Sequence, residues 1–221
     1  MELSKEQIRE TIARRVALEL EEGDVVTLGI GLPTEVANYV PENVHVMFHS
    51  ENGLLGVGKK PAFDTADPKV TNAGGMPVET RPGAAFFDSV LSFTMIRGGH
   101  IDATVLGALQ VDQEGNIANW LVPGVFAPGM GGAMDLVVGA KKVIVAMEHM
   151  AKNEIKIVKK CTLPLTGAHE VDMIITERCV LKVTPEGLLL QEINPMFSLE
   201  DITSTVTADL IIPDELLQAA A

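Results

Sequence analysis

The sequence predicts an α/β protein with a mostly parallel open sheet, helices on both faces and antiparallel hairpins at its edges. Short apolar runs rich in β-branched residues alternate with helical segments along the chain, which is the pattern of a covered parallel sheet. The chain has 221 residues and 47% hydrophobic residues, enough for one buried core. Because no linker or fixed-period repeat divides it, we expect a single domain, 1–221.

The first predicted elements are a helix, a strand and a second helical segment. Apolar residues recur every four positions in 8–20, and Ser4 with Gln7 matches a capping box in front of them. This pattern indicates an amphipathic helix that ends near Gly23. The β-branched run 25–30 predicts a strand, after which Pro33 opens a helical segment.

The alternation of strands and helices continues to the end of the chain. Strands are predicted at VHVMF, DATVLGALQV, KVIVAM, VDMIIT and ADLII, helices at DSVLSFTMIRGG and GGAMDLVVGA, and hairpins around Glu114-Gly115 and Pro185-Glu186-Gly187. The hairpins predict antiparallel strands at the sheet edge. The segment 59–85 contains four prolines and little periodicity, so we expect a long ordered loop or a mobile flap there.

Charge and composition exclude several classes of function. The net charge of −13 argues against a nucleic-acid partner, whose proteins carry a basic face, but a small anion can still bind through local groups. The charged N-terminus and the lack of a long apolar run predict a cytoplasmic protein with no membrane partner. Cys161 and Cys179 fit no disulfide or zinc pattern, so we expect free thiols and no metal site.

The stretch HSENG places His49, Ser50 and Glu51 together where a strand gives way to a turn. Neighbours on a strand point to opposite faces, so His49 is badly placed to activate Ser50, and there is no G-x-S-x-G elbow. Glu51 lies at a strand end, where open α/β sheets bind ligands. On residue chemistry alone, an ordinary Glu-Asn-Gly turn with a solvated carboxylate remains the preferred interpretation.

Two glycine motifs are further candidates for binding. GIGLPT, residues 29–34, suits either an anion at a helix start or a tight packing turn, and the sequence does not choose between them. GMGGAMD, residues 129–135, suits either a backbone N–H facing an oxyanion or a helix end followed by a new helix.

Taken in order, the motifs resemble one known family. GIGLPTEVANYV, SENG, NAGG, FFDSVLSFTMIRGGHIDATVLGALQVDQEGNIANW, VPG, GMGGAMDLV, MEHMAKN, KKCTLPLTG and IITE are similar to the β subunit of the family I 3-oxoacid CoA-transferases. Within that family, the bacterial acetoacetate transferases acting with butyrate or acetate look most similar. The resemblance runs from about Ile8 to about Leu210 and implies the CoA-transferase fold.

The resemblance also implies a reaction and site residues. CoA would move between an acyl-CoA and a short-chain carboxylic acid, with Glu51 as the nucleophile that forms a mixed anhydride and then a glutamyl-CoA thioester. The backbone N–H of Gly132 would donate to the oxyanion. Residues of GIGLPT and NAGG would lie near the CoA cleft, namely Gly29, Gly31, Asn72 and Gly75.

Partners and cofactors follow from the same resemblance. It implies an α subunit in an α2β2 heterotetramer, acyl-CoA and short-chain carboxylate substrates, and CoA as substrate and covalent intermediate without a permanently bound cofactor. Some fused family members carry a lysine where this chain has Gly75 and use it near the nucleotide. Because this chain lacks that lysine, Lys59, Lys60 or the partner chain are the candidates for the cation that binds the CoA phosphates. A non-catalytic anion-binding module and a thioester hydrolase are the alternatives.

Overall fold

The computed structural model describes residues 3–62, 64–125, 127 and 129–219. The helices are α1 Lys5–Ala17, a 3₁₀ helix Leu32–Asn38, α2 Ser89–Arg97, α3 Ala133–Gly139, α4 Leu199–Thr203 and α5 Asp214–Ala219. The strands are β1 Val25–Leu28, β2 Met47–Ser50, β3 Leu54–Val57, β4 Thr80–Phe86, β5 Ile101–Leu106, β6 Gln110–Asp112, β7 Ile117–Ala118, β8 Ala140–Ala146, β9 Met150–Ala151, β10 Glu154–Ile155, β11 Ile157–Val158, β12 Met173–Ile175, β13 Cys179–Thr184, β14 Gly187–Ile193 and β15 Leu210–Ile211.

The main sheet has ten strands in the order β15-β14-β13-β12-β8-β5-β1-β2-β3-β4. Its centre is parallel, since β2, β1, β5, β8 and β12 run in one direction. Both flanks continue through antiparallel strands, β12-β13-β14 on one side and β2-β3-β4 on the other. The predicted fold class is confirmed, with the carboxyl ends of the parallel strands along one edge.

Two hydrophobic cores cover the two faces of this sheet. Alternate residues of β8 show the division, because Val143 and Val145 belong to one core and Ile144 to the other. The core on the Ile144 face includes α1 and the 3₁₀ helix, whereas the opposite core includes α2 and α3. The helices therefore lie on both faces, as predicted.

The N-terminal helix confirms the capping box but is shorter than predicted. The Ser4 side chain accepts from the N–H of Gln7, and the Gln7 side chain accepts from the N–H of Ser4. The helix ends at Ala17 rather than near Gly23. Gly23 has φ +89° and its N–H donates to His45 O at 2.9 Å, so it turns the chain towards β1 instead of ending a helix.

Several predicted strands differ from the observed ones. The strand predicted at 25–30 ends at Leu28, and the helical segment after it is 3₁₀. DATVLGALQV forms two strands, because β6 leaves the main sheet and pairs with β7 and β11. The Glu114-Gly115 hairpin is therefore confirmed, but it does not form the edge of the main sheet. The Pro185-Glu186-Gly187 hairpin does belong to that sheet, as β13-β14.

Two further differences affect the candidate site. The strand predicted at VHVMF begins at Met47 and includes His49 and Ser50, so Glu51 follows the strand directly. The segment 59–85 contains the start of β4 and a bridge between Thr71 and Pro77, which makes its described part an ordered arm with a hairpin. Within the described ranges, no helix combines the length and apolar character needed to cross a membrane.

Candidate active site

Glu51 begins the turn that joins β2 to β3. The N–H of Gly53 donates to Ser50 O at 2.9 Å and closes this turn. Gly53 has φ +109°, and a β-carbon there would overlap the carbonyl oxygen of Phe87, so both conformation and space require glycine. The turn therefore holds Glu51 at the carboxyl end of a parallel strand, where this fold leaves room for a ligand.

His49 and Ser50 have separate partners, as the alternation of a strand predicts. The Nδ1 atom of His49 lies 2.9 Å from Thr27 Oγ1 and its Nε2 atom lies 2.9 Å from Ser92 Oγ. The Ser50 hydroxyl oxygen accepts from the N–H of Ala73 at 2.8 Å. Because both ring nitrogens of His49 are occupied, the geometry argues against a His–Ser hydrolytic pair.

Gly132 lies directly against the Glu51 carboxyl group. It is the N-cap residue of α3, and its backbone N–H acts as a hydrogen-bond donor to the carboxylate. A β-carbon at Gly132 would overlap Glu51 Oε2 and would lie 2.9 Å from both Glu51 Cδ and Phe93 Cζ. The fold thus brings together Glu51 and Gly132, the candidate residues of two motifs that lie far apart in the sequence.

The half-buried Glu51 carboxyl group has a raised pKa. Burial is the largest cause, because it disfavours the charged form, and the negative charge of Asp135 raises the pKa further. The hydrogen bond from the Gly132 N–H opposes this shift by stabilising the carboxylate. The group is therefore a more basic carboxylate than a solvated glutamate, held by a backbone donor.

Replacing Asp135 with Asn is expected to move the acid limb of kcat/KM to lower pH. Asp135 raises the pKa of Glu51, and it also neutralises Arg97 through a 2.7 Å ion pair. Removing its charge therefore favours the Glu51 anion, so activity persists to lower pH. The pH profile with an acyl-CoA substrate measures this limb. Asp209→Asn is the matched control, since Asp209 is also an ion-paired carboxylate. An acid limb that stays at the same pH or moves to higher pH in Asp135→Asn would contradict the electrostatic account.

The NAGG hairpin connects the Glu51 turn to the GIGLPT turn. On one side, Asn52 Nδ2 donates to Thr71 O at 2.8 Å, next to the bond between Ser50 and Ala73. On the other side, a β-carbon at Gly74 would lie 3.4 Å from the Ile30 side chain. The two glycine-containing motifs and the Glu51 turn therefore form one continuous region.

The four residues expected near the CoA cleft have different surroundings. Gly29 packs tightly on β5, since its N–H donates to Val105 O at 2.8 Å, which supports the packing-turn interpretation. Gly31, with φ +92°, and Gly75, with φ +74°, adjoin open space. The side-chain oxygen of Asn72 accepts from the N–H groups of Gly74 and Met76 and so shapes the hairpin.

A cavity of about 300 Å³ lies between the 3₁₀ helix, β2 and the NAGG hairpin. Its lining combines apolar side chains such as Phe48 with the polar residues Asn72, Lys59 and Lys60. Both lysines are exposed, so their ammonium groups are free to meet an anionic ligand at this side of the site.

The cysteines do not contribute a reactive group. Burial raises the pKa of both the Cys161 and the Cys179 thiol to about 12, and neither forms a disulfide. The expectation of free thiols is confirmed. In the part of the chain that the structure describes, His, Cys, Asp and Glu side chains form no group of three or more that suits a metal ion.

Comparison with known proteins identifies the family. Residues 9–205 match the Coenzyme A transferase family. The chain belongs to this family. It is 54% identical over 210 residues to the beta subunit of acetate CoA-transferase from Haemophilus influenzae, covering 94% of this chain and 93% of the relative. It is 58% identical over 186 residues to the protein of the same name from Escherichia coli K12, covering 84% and 85%.

Solved structures confirm the fold of this CoA-transferase chain. The apoenzyme of the acyl-CoA transferase YdiF from Escherichia coli O157:H7 matches with a TM-score of 0.76 at 24% identity. The match covers 98% of this chain and 44% of that chain, so this chain spans less than half of that protein. Glutaconate coenzyme A-transferase from Acidaminococcus fermentans matches with a TM-score of 0.67 at 19% identity. The predicted family, β-subunit type and enzyme class are confirmed by the family match and by the relatives at 54% and 58% identity.

Sequence reasoning missed three residues of the site. Phe93 forms a wall beside Gly132, Asp135 raises the pKa of Glu51, and Ser92 holds His49. Asp135 lies within the motif GMGGAMD, but nothing in the sequence indicated its distance to Glu51. Phe93 and Ser92 lie in a helix whose pattern indicates only packing, so no local signal could have identified them.

Proposed function

We propose that this chain supplies the nucleophile of an enzyme that moves CoA between an acyl-CoA and a short-chain carboxylic acid, and that Glu51 is this nucleophile. The observation that carries the proposal is the Glu51 carboxylate at the end of β2, partly buried and facing the backbone N–H of Gly132. Family membership supplies the reaction class, and the geometry supplies a carboxylate with a hydrogen-bond donor at its oxygen.

The proposed reaction begins with attack of a Glu51 oxygen on the thioester carbon of the acyl-CoA. CoA leaves as the thiolate, and a mixed anhydride between the acyl group and Glu51 remains. The thiolate then attacks the Glu51 carbonyl carbon, which releases the first carboxylate and forms a glutamyl-CoA thioester. The acceptor carboxylate reverses these steps, so that a new acyl-CoA leaves and Glu51 is free again. This is covalent catalysis, and it requires no general base.

A glutamate suits this reaction better than a serine. A serine would form an ordinary ester, which is too stable to regenerate a thioester readily. A carboxylate forms an anhydride and then a thioester, so the activation of the acyl group is retained at each step. Coenzyme A then serves as substrate and covalent intermediate, and the chemistry requires no permanently bound cofactor.

Gly132 has a defined task in this scheme. When the thiolate attacks the Glu51 carbonyl carbon, the carbonyl oxygen becomes an oxyanion. Gly132 lies directly against the Glu51 carboxyl group and its N–H lowers the pKa of that group, so it is placed to stabilise the developing charge. Removing one such donor in other enzymes raises the barrier by about 3 to 4 kcal/mol.

Trapping the covalent intermediate tests the proposal directly. The chain is co-expressed with an α-type subunit, incubated with acetoacetyl-CoA and reduced with borohydride. We expect inactivation and a modification that peptide mass spectrometry locates at Glu51. A fully active, unmodified protein would overturn the proposal. Rapid thioester cleavage without an acceptor acid would instead indicate a hydrolase, and binding of a phosphorylated ligand without turnover would indicate an anion-binding module.

We propose an α-type subunit as the partner and an α2β2 heterotetramer as the assembly. The relatives at 54% and 58% identity are named as beta subunits. The helices α2 and α3, which pack together beside Glu51, leave Val90 74% exposed and Val138 67% exposed. Large apolar side chains exposed next to a site support a protein partner on that face.

Replacing Val138 with Glu is expected to weaken assembly with the α-type partner at least about tenfold, because it places a charge in an apolar interface. Titration of the two purified chains followed by size-exclusion chromatography measures this effect. Leu18→Glu is the matched control, since Leu18 is 68% exposed but lies just after α1, which covers the opposite face of the sheet. Equal assembly of both variants with the α-type partner would contradict an interface at α3.

We propose Lys59 and Lys60 as the cations for the CoA phosphates. Both line the cavity that also contains Asn72, in the region joined to the Glu51 turn. Replacing both with Ala is expected to raise KM for the acyl-CoA about tenfold and to leave kcat within about threefold, because the phosphates are remote from the reacting bond. Lys182→Ala, at an exposed position of β13, is the control. An unchanged KM in the double variant would assign the cation to the partner chain.

We propose acetate, butyrate and acetoacetate as the acid substrates, which would place the enzyme in short-chain fatty acid and ketone-body metabolism. The names of the relatives support acids of this size, since they include acetate and 3-ketoacid transferases. A panel of acceptor acids offered to the trapped glutamyl-CoA thioester would rank them by the rate of new acyl-CoA formation. Equal rates for all chain lengths would contradict selection for short acids.

A further inference from the structure

His49 is a buried side chain whose hydrogen-bonding capacity is fully used. It is only 3% exposed and lies between the hydroxyl groups of Thr27 in β1 and Ser92 in α2, each 2.9 Å from a ring nitrogen. A neutral imidazole donates through one nitrogen and accepts through the other, so it can bond both hydroxyls at once. Burial lowers the pKa of His49 to about 4, which keeps the ring neutral near pH 7.

His49 also supports the turn that carries Glu51. Its ring stacks on Phe87 with the ring centroids 6.2 Å apart and an angle of 11° between the planes. The N–H of Phe87 donates to Gly53 O at 3.0 Å, at the end of the same turn. The Glu51 turn is thus held by His49 through the backbone of β2 on one side and through Phe87 on the other.

The bond to Ser92 connects His49 to the opposite wall of the site. Ser92 precedes Phe93 in α2, and Phe93 Cζ lies 2.9 Å from the position that a β-carbon of Gly132 would take. The same helix packs on α3, which begins after Gly132. A shift of α2 relative to β2 would therefore change the distance between Glu51 and the Gly132 N–H.

We propose that His49 is a positioning residue, which fixes the Glu51 carboxylate against the Gly132 N–H by tying β2 to α2 through Ser92. This inference rests on the proposed function of Glu51. It differs from general base catalysis, because both ring nitrogens of His49 are engaged by the hydroxyl groups of Thr27 and Ser92, so His49 works through the elements that it joins. A misplacement of about 1 Å can reduce turnover about 100-fold, so the contribution is measurable.

The test compares His49→Leu, which loses both hydrogen bonds, with His49→Gln, whose amide can again donate and accept. His149 provides a matched control, because it is equally buried and its ring lies 3.1 Å from Thr176 Oγ1 and 3.0 Å from Thr205 Oγ1. It follows β8, which β1 and β5 separate from β2. His149→Leu therefore removes a similar structural link without touching the Glu51 turn.

For His49→Leu in the assembled enzyme, we expect kcat and the rate of glutamyl-CoA formation to fall 10-fold to 100-fold, with KM changed less than twofold. His49→Gln should recover most of the rate, and His149→Leu should retain kcat despite a comparable loss of thermal stability. If His49→Leu does not fold, Ser92→Ala removes one bond with a smaller change and should lower kcat several-fold.

Two outcomes would overturn the proposal for His49, and a third concerns Glu51. Full kcat in His49→Leu or Ser92→Ala, or an equal loss of kcat in His149→Leu, would reduce His49 to a structural residue. In both of these outcomes the wild-type complex still forms the glutamyl-CoA thioester, so they concern His49 and not the proposed function of Glu51. A wild-type complex that forms no thioester would instead overturn the proposed function itself.

Discussion

Glu51→Gln is expected to reduce CoA transfer by at least about 10⁴-fold, because an amide replaces the nucleophilic carboxylate while the shape of the side chain is kept. Steady-state transfer from acetoacetyl-CoA to acetate, measured with the assembled enzyme, gives this ratio. The borohydride-dependent modification should disappear as well. The turn itself should persist, since Gly53 and the bond between its N–H and Ser50 O are unchanged.

Two further variants distinguish a nucleophile from a nearby charge. Glu51→Asp keeps the carboxylate but withdraws it by about one bond length. We therefore expect the rate of CoA transfer to fall about 100-fold but not to disappear. Glu186→Gln removes a carboxylate from the β13-β14 turn and should leave activity unchanged. Full transfer in Glu51→Gln would assign the chemistry to another group. Slow recovery of activity together with a mass gain of about 1 Da would indicate hydrolysis of the amide back to Glu51.

The sequence predicted the parts of the fold that depend on local pattern. The capping box of α1, the glycine start of α3 and the β13-β14 hairpin are set by residues a few positions apart, and all three were confirmed. The departure of β6 from the main sheet was not predicted, because it depends on pairing with β11, about 45 residues later. Such pairing leaves no trace in local hydrophobic periodicity.

Dependence on distant residues also explains why residue chemistry alone favoured an ordinary turn at Glu51. Nothing in HSENG distinguishes a solvated glutamate from a half-buried one, because the group that lies against the carboxylate, Gly132, is about 80 residues away in the sequence. The flanking hydrogen bonds, in which the Ala73 N–H donates to Ser50 Oγ and Asn52 Nδ2 donates to Thr71 O, are also non-local. The family resemblance singled out Glu51 because a resemblance depends on the order of many motifs together. The geometry adds a physical property of this residue, a half-buried carboxylate beside a backbone donor.

Gly132→Ala is expected to lower kcat by about 100-fold or more while the protein still folds. Gly132 has φ −84° and ψ 4°, a conformation open to alanine, and the loss of a favourable N-cap residue costs stability on the order of 1 kcal/mol, which a folded domain tolerates. The added carbon, however, would overlap Glu51 Oε2 and would lie 2.9 Å from Phe93 Cζ. The carboxylate must therefore move away from the N–H that would stabilise the oxyanion.

Turnover and intermediate formation together reveal the cause of this loss. If Gly132 acts through its N–H, the alanine variant forms the glutamyl-CoA thioester slowly in a single turnover, whereas its KM for acyl-CoA stays within about threefold.

Gly107→Ala is the matched control, because the nearest atom to an added carbon there is 3.9 Å away. Adding Phe93→Leu to Gly132→Ala relieves the contact with the ring but not the overlap with Glu51, so we expect recovery of less than about tenfold. Wild-type turnover in Gly132→Ala would show that the reaction does not depend on this close approach, and the oxyanion donor would have to come from elsewhere.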